Sequence, residues 1–206
     1  YNPKCEIEIT NSEYESQVKL LLAGAALCSN ARLNHPPGSS QWQVLGDPTE
    51  ADLLVVAIKA GLKLEELQRQ APRSREVPFD SHRRMMTVLL TGTLEFPQPA
   101  PKTENALQIF TKGAPLDVLQ HSRFILREGQ QQELTAAQRA EVEAANDRLA
   151  SLGYRVLAVG TRQGGRELQE QDNTALEQDL IFIGLVAMID PPRKEVADAI
   201  ALCHRA

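Results

Sequence analysis

The apolar run Ala106-Leu107-Gln108-Ile109-Phe110 ends at Lys112-Gly113-Ala114-Pro115, and the residues that follow, Leu116 to Gln120, are compatible with a short helix. This sets a lysine at a strand end beside a glycine turn. A bare backbone turn lets phosphate or ring atoms approach closely while an ammonium sits at the rim, so the geometry suits an anionic ligand. On those four residues alone, an ordinary strand-to-helix turn is the simpler reading. The rest of the chain decides between them.

A chain of 206 residues, 42% apolar and 24% charged, has the mix of a soluble globular protein and is long enough for one sizeable core or two small ones. Its formal net charge of −5, with no Lys/Arg run, argues against a nucleic-acid groove or a membrane-surface patch. Cys5, Cys28 and Cys203 are too far apart for a metal knuckle, and their odd number points to a reducing compartment; they read as buried thiols. No apolar run approaches the roughly 18 residues of a membrane span, and no signal-peptide pattern opens the chain. Both ends read as cut from something larger.

Residues 6–9 are expected to form a short strand, and Ser12 to cap a helix with Tyr14, Val18, Leu21, Leu22 and Ala25 on its apolar face. The segment 34–40, with two prolines and a glycine, is a loop, and 42–45 a strand. Asp47 or Thr49 caps a second helix that stops at Gly61, and a third covers about 64–70. Strands follow at 75–79 and 85–90, joined through Asp80-Ser81-His82-Arg83, and 92–105 is a surface loop. A strand at 124–126 turns at Glu128-Gly129. Thr135 with Gln138 makes a capping box for a long helix, striped by Val142, Ala145, Leu149 and Leu152 and closed by Gly153; strands at 154–159 and 180–188 complete the chain. The fold class is α/β of the α+β type: a twisted, mainly antiparallel sheet of about six or seven strands flanked by helices.

The chain contains no GxxxxGK[ST], GxGxxG, GxSxG or HExxH, and its four histidines, His35, His82, His121 and His204, are scattered and read as solvated. Four segments, however, occur together: Gly46-Asp47-Pro48-Thr49-Glu50, Pro78-Phe79-Asp80-Ser81-His82-Arg83-Arg84-Met85, Lys112-Gly113-Ala114-Pro115 and Asp190-Pro191-Pro192-Arg193, with Tyr154-Arg155-Val156-Leu157-Ala158 as a fifth. In order and spacing they resemble the nucleotide-binding domain of P-type cation-transporting ATPases, in the branch that includes the calcium pumps.

The resemblance implies that adenine stacks on Phe79, a contact worth about 1–3 kcal/mol, with Lys112 at the floor of the same cleft and Gly113 and Ala114 small enough to admit the purine. It makes Glu50 an acceptor near the adenine amino edge with Thr49 positioning it, although helix capping explains that motif nearly as well. Arg155 matches the arginine that reaches the phosphates and Leu157 the apolar wall beside it. Arg84 stands where the family usually has lysine, which exchanges a point donor for a planar fork, and Leu116 where it commonly has glutamate. Asp190 and Arg193 fall at a hinge, where the resemblance implies that their pairing helps set domain closure and touches the ribose, so that residues 1–189 form the nucleotide-binding domain and 190–206 begin the return into a phosphorylation domain. The family's Asp-Lys-Thr-Gly-Thr motif is not in this chain, so no residue here is expected to be catalytic or to ligate a metal.

The expected function is therefore to bind ATP, with Mg²⁺ in the intact pump, and to present its γ-phosphate to the phosphorylation-domain aspartate of a cation pump, calcium being the leading cargo and the phosphorylation and actuator domains its partners. The piece itself would be a monomeric cytoplasmic domain of an integral membrane protein, without nucleic-acid or direct membrane contact. Two other classes compete: a protein-interaction module with an acidic surface, in which the same segments are only turns and caps, and a self-contained hydrolase, against which the lack of any complete catalytic constellation speaks.

Overall fold

The computed structural model describes residues 7–34, 36, 42–92, 94, 106–189, 196 and 203. A single 3-10 turn, Ser12–Tyr14, leads into helix α1 (Glu15–Leu27) and the short strands β1 (Arg32–Asn34) and β2 (Gln43–Leu45). Helices α2 (Pro48–Lys59) and α3 (Leu64–Gln70) precede strands β3 (Arg73–Asp80), β4 (Met85–Thr91) and β5 (Leu107–Gly113). Then come α4 (Pro115–Gln120), β6 (Ser122–Arg127), β7 (Gln130–Glu133), α5 (Ala136–Ser151), β8 (Arg155–Gly164), the short helices α6 (Glu167–Glu170) and α7 (Asn173–Leu176), and β9 (Leu180–Met188).

Seven strands form one sheet in the order β3-β4-β5-β8-β9-β6-β7, while β1 and β2 pair separately. Every pairing is antiparallel except that of β6 with β9, so the mainly antiparallel sheet flanked by helices is as expected. Every residue of β5 is buried because both faces are covered. Successive side chains alternate across a strand. Phe110 packs with α1 residues Leu20, Ala23 and Leu27, whereas Ile109 joins Leu168 of α6 and Leu176 of α7. On that second face Ala158 also meets Val118 and Leu119 of α4.

Helix α1 lies so close to the sheet that a Cβ on Gly24 would collide with the Phe110 ring at its Cδ1. Its other side packs Leu22 and Ala26 against Ala51 and Leu54 of α2. A helix with two apolar sides has no single stripe, which is why Leu20 is buried although it lies off the expected face, and Tyr14 is exposed.

Several local expectations change. Residues 7–9 form no strand; the Ile7 amide instead donates to the Lys59 carbonyl at 3.2 Å. Asn11, not Ser12, caps the first turn, accepting from the Glu13 amide. Of the two candidate caps of α2, Asp47 does the work, accepting from the Glu50 amide at 3.1 Å. The Thr135/Gln138 capping box is present as expected, but Leu152 is exposed, because α5 ends just before it. Cys28 is a buried thiol and Cys203 is exposed; Cys5, His35, His204 and most of the expected loops 34–40 and 92–105 lie outside the described residues, as do Asp190 and Arg193.

Candidate functional site

Strand register brings most of the singled-out residues to one end of the sheet. Gly113 faces Met85 on one side and Ala158 on the other, and Met85 faces Asp80, the residue after Phe79. Lys112 faces Met86 and Val159, two residues along β8 from Leu157. Phe79, Arg84, Lys112, Gly113, Ala114, Arg155 and Leu157 thus share this end.

Phe79 is 63% exposed, the ring of an edge strand left in water. Leu45 and Leu152 are as exposed or more so, so what distinguishes Phe79 is not exposure alone but its aromatic face at the strand end that adjoins Lys112. The connection after it is preorganised: the Asp80 carboxylate accepts the amides of His82 at 2.9 Å and Arg83 at 3.0 Å. Those bonds, Arg83's first, hold the Asp80 carboxyl below the usual range. Arg84 then takes a left-handed φ of 53°, and its carbonyl accepts the Ala114 amide at 2.9 Å. A Cβ on Gly113 would collide with that same carbonyl and stand 2.7 Å from Met85 Cγ. Close strand packing therefore accounts for this glycine before any ligand is considered.

Lys112 is not at a rim but buried, 6% exposed. Its Nζ donates to Glu50 Oε1 at 2.8 Å and to Ser29 Oγ at 3.1 Å. Glu50 Oε2 accepts the backbone amides of Asn30 at 2.7 Å and Ala31 at 3.0 Å. Both carboxylate oxygens thus hold the turn after α1 and the lysine together, and removing either partner of so enclosed an ion pair leaves an uncompensated charge, typically costing about 3–5 kcal/mol. Arg73 completes the frame, donating to the carbonyls of Leu27 at 2.6 Å and Ser29 at 3.0 Å and pairing with Glu76 at 2.6 Å.

Arg155 donates to Thr49 Oγ1. Both line an open cleft of about 500 Å³, with Asp47, Pro48, Asp52, Gly153 and Met188. Phe79 and Lys112 are not in its lining. Arg84, 59% exposed at its side chain, pairs with Asp117 at 2.9 Å, and Leu157 packs half-buried on the main core. Ser29, Asn30, Arg73 and Asp117 escaped sequence reasoning; only folding sets Ser29 beside a lysine 83 positions away, and no local pattern marks it.

Comparison with known proteins bears on the whole chain. Residues 17–195 match the family model described as P-type ATPase, cytoplasmic domain N. The chain is 36% identical over 204 residues to the calcium-transporting ATPase of Bacillus subtilis (strain 168), covering 98% of this chain and 21% of that protein. It is 34% identical over 199 residues to calcium-transporting ATPase 1 of Lactococcus lactis subsp. lactis (strain IL1403), covering 97% and 21%. With the probable cation-transporting ATPase F of Mycobacterium tuberculosis (strain ATCC 25618 / H37Rv) it shares 37% over 186 residues, covering 90% and 19%. The chain spans about a fifth of the length of each. Its match over nearly all its length, on a mixed sheet whose one end gathers four of the five segments, with Asp190-Pro191-Pro192-Arg193 lying outside the described residues, places it in the family of P-type ATPase cytoplasmic N domains.

Proposed function

We propose that this chain binds ATP at the sheet end shared by Phe79 and Lys112 and presents the γ-phosphate to an aspartate in another domain of a P-type cation pump, one that transports calcium. The observation that carries this reading is the Phe79 ring, 63% exposed at the strand end that adjoins the buried Lys112. Adenine stacks on the free face of Phe79, and Lys112, fixed by Glu50, supplies a positive wall behind the base. Glu50 Oε1 keeps a second lone pair beyond the one given to Lys112, which is what an exocyclic amine would use. The guanidinia of Arg84 and Arg155 are placed for the phosphate side and exchange Asp117 and Thr49 for phosphate oxygens.

Mg²⁺ would enter with the nucleotide rather than be caged by protein side chains. It supplies charge neutralisation when bound. Among the described residues no three His, Cys, Asp or Glu side chains converge on a common point. The chain's contribution is positioning, since phosphoryl transfer depends on alignment more than on covalent chemistry by the protein. Without the domain that clamps the phosphate end, a dissociation constant of roughly 0.1–1 mM is expected, about −4 to −5.5 kcal/mol.

An ATP titration followed by amide NMR tests this. Shifts concentrated at 79–85 and 110–114, lost in Phe79→Ala, are expected; because the ring is exposed, that truncation costs little stability. Binding that survives Phe79→Ala, or no binding at all, would sink the proposal and raise the interaction-module reading.

A further inference from the structure

Glu177, at the C-terminal end of α7, is a carboxylate only 2% exposed. A charge taken that far out of water must be paired and hydrogen-bonded. Its Oε1 accepts from Arg83 Nη1 and, at 2.8 Å, from Thr87 Oγ1, whose hydroxyl lies 2.9 Å from that of Thr111. The second arm of the same guanidinium, Arg83 Nη2, donates to the Pro78 carbonyl at 2.7 Å. Pro78 is the residue before Phe79. One planar fork therefore joins a buried anion to the backbone that enters the exposed ring.

A parallel anchor lies further back on the same strand. Arg75 donates to the Gln171 carbonyl and to Asn173 Oδ1, each at 2.6 Å, and between the two arginines Val77 packs with Leu168 and Leu176. These contacts matter because β3 is an edge strand whose register with β4 slips between Val77 and Asp80. An edge held by one neighbour, with a bulge beside the ring, is where a sheet frays first.

We propose that Glu177, acting through Arg83, is a positioning residue for Phe79, and that the segment α6–α7 is the backing against which the stacking ring is held. The proposal rests on the ATP-binding reading. A ring already in place spares the ligand the cost of ordering it, so a loosened backing weakens the purine contact without touching the phosphate side.

The test is a four-way comparison of the full 206-residue chain: unaltered, Glu177→Gln, Phe79→Ala and the double variant. Glutamine keeps the size and an acceptor for Thr87 but loses the charge-assisted bond to Arg83. Glu177→Gln is expected to weaken ATP and phosphate-free adenosine by the same factor, roughly 3- to 10-fold. It should also speed amide exchange at 79–84 while leaving 107–113 protected. In the Phe79→Ala background, where ATP binding is already lost, it should still speed exchange at 79–84 alone. A merely structural role would speed exchange at 107–113 as well, and that result, or unchanged affinity and exchange, overturns the proposal. Should Glu177→Gln fail to fold, Arg83→Lys replaces it, since an ammonium can meet Glu177 but has no second arm for Pro78. If the unaltered chain takes up no ATP, the binding reading fails by itself, and the exchange rates at 79–84 still decide whether the link to α7 exists.

Discussion

Lys112 does two jobs: its ammonium is the buried partner of Glu50 and Ser29, and it sits beside the buried Cys28. Burial raises the Cys28 thiol from 9.0 to about 11, against the pull of the Lys112 ammonium and the Arg73 guanidinium. At pH 8 the native chain is expected to leave Cys28 unmodified by iodoacetamide while the exposed Cys203 reacts; in guanidinium both should react, and peptide mapping by mass spectrometry separates them. The sign for stability follows. Below pH 9 the thiol is neutral in both states; between 9 and 11 the unfolded thiol ionises and the folded one resists, so stability falls with rising pH by about 2–3 kcal/mol in all. At this scale the types of Phe79, Lys112 and Glu50 were legible in the sequence because each lies in a segment with a fixed pattern. Their mutual arrangement was not, since Glu50's hold on the turn at Asn30 and Ala31 arises only when α1 and α2 pack.

Elements were legible where their signals are local. The capping box of α5 is read from two residues, and Thr135 accepts the Gln138 amide while the Gln138 side chain accepts the Thr135 amide at 2.9 Å. No residue of α5 is fully buried; Val142 packs half-buried near Val118 and Leu119, and Arg139 donates to the Leu119 and Ser122 carbonyls. Thr135→Ala is expected to cost about 1 kcal/mol, lowering the urea midpoint without changing the slope. Strands β1 and β7 and helices α6 and α7 were missed for a common reason. Each is four residues or fewer, and β7, Gln-Gln-Gln-Glu, is exposed throughout, so no apolar period marks it. What does announce β7 is its turn: Glu128 and Gly129, both at positive φ, join Arg127 to Gln130 in a two-residue hairpin.

For the whole molecule, covering both faces of the sheet makes one cooperative unit in which ligand binding adds to folding free energy. At 5 mM ATP and the affinity proposed above, the added stability is roughly 1–2 kcal/mol, a rise in melting temperature of a few degrees for a chain of this size. Scanning calorimetry with and without ATP checks it, and Phe79→Ala should abolish the increment; an equal rise in the variant would place ATP elsewhere. The class of sheet was legible because hairpin-like neighbours force antiparallel pairing. The single parallel pair was not, because it joins strands more than fifty residues apart.

That parallel pair has a consequence for how the chain is made. Strand β9 is the last of the described strands to be synthesised, yet it lies between β8 and β6 in the finished sheet. Until residues 180–188 leave the ribosome, the β6–β7 hairpin has no neighbour to join, and the inner edges of β8 and β6 stand bare. The nascent domain must therefore wait, with adhesive edges open, for a strand that arrives late, and shielding by chaperones would matter most in that interval.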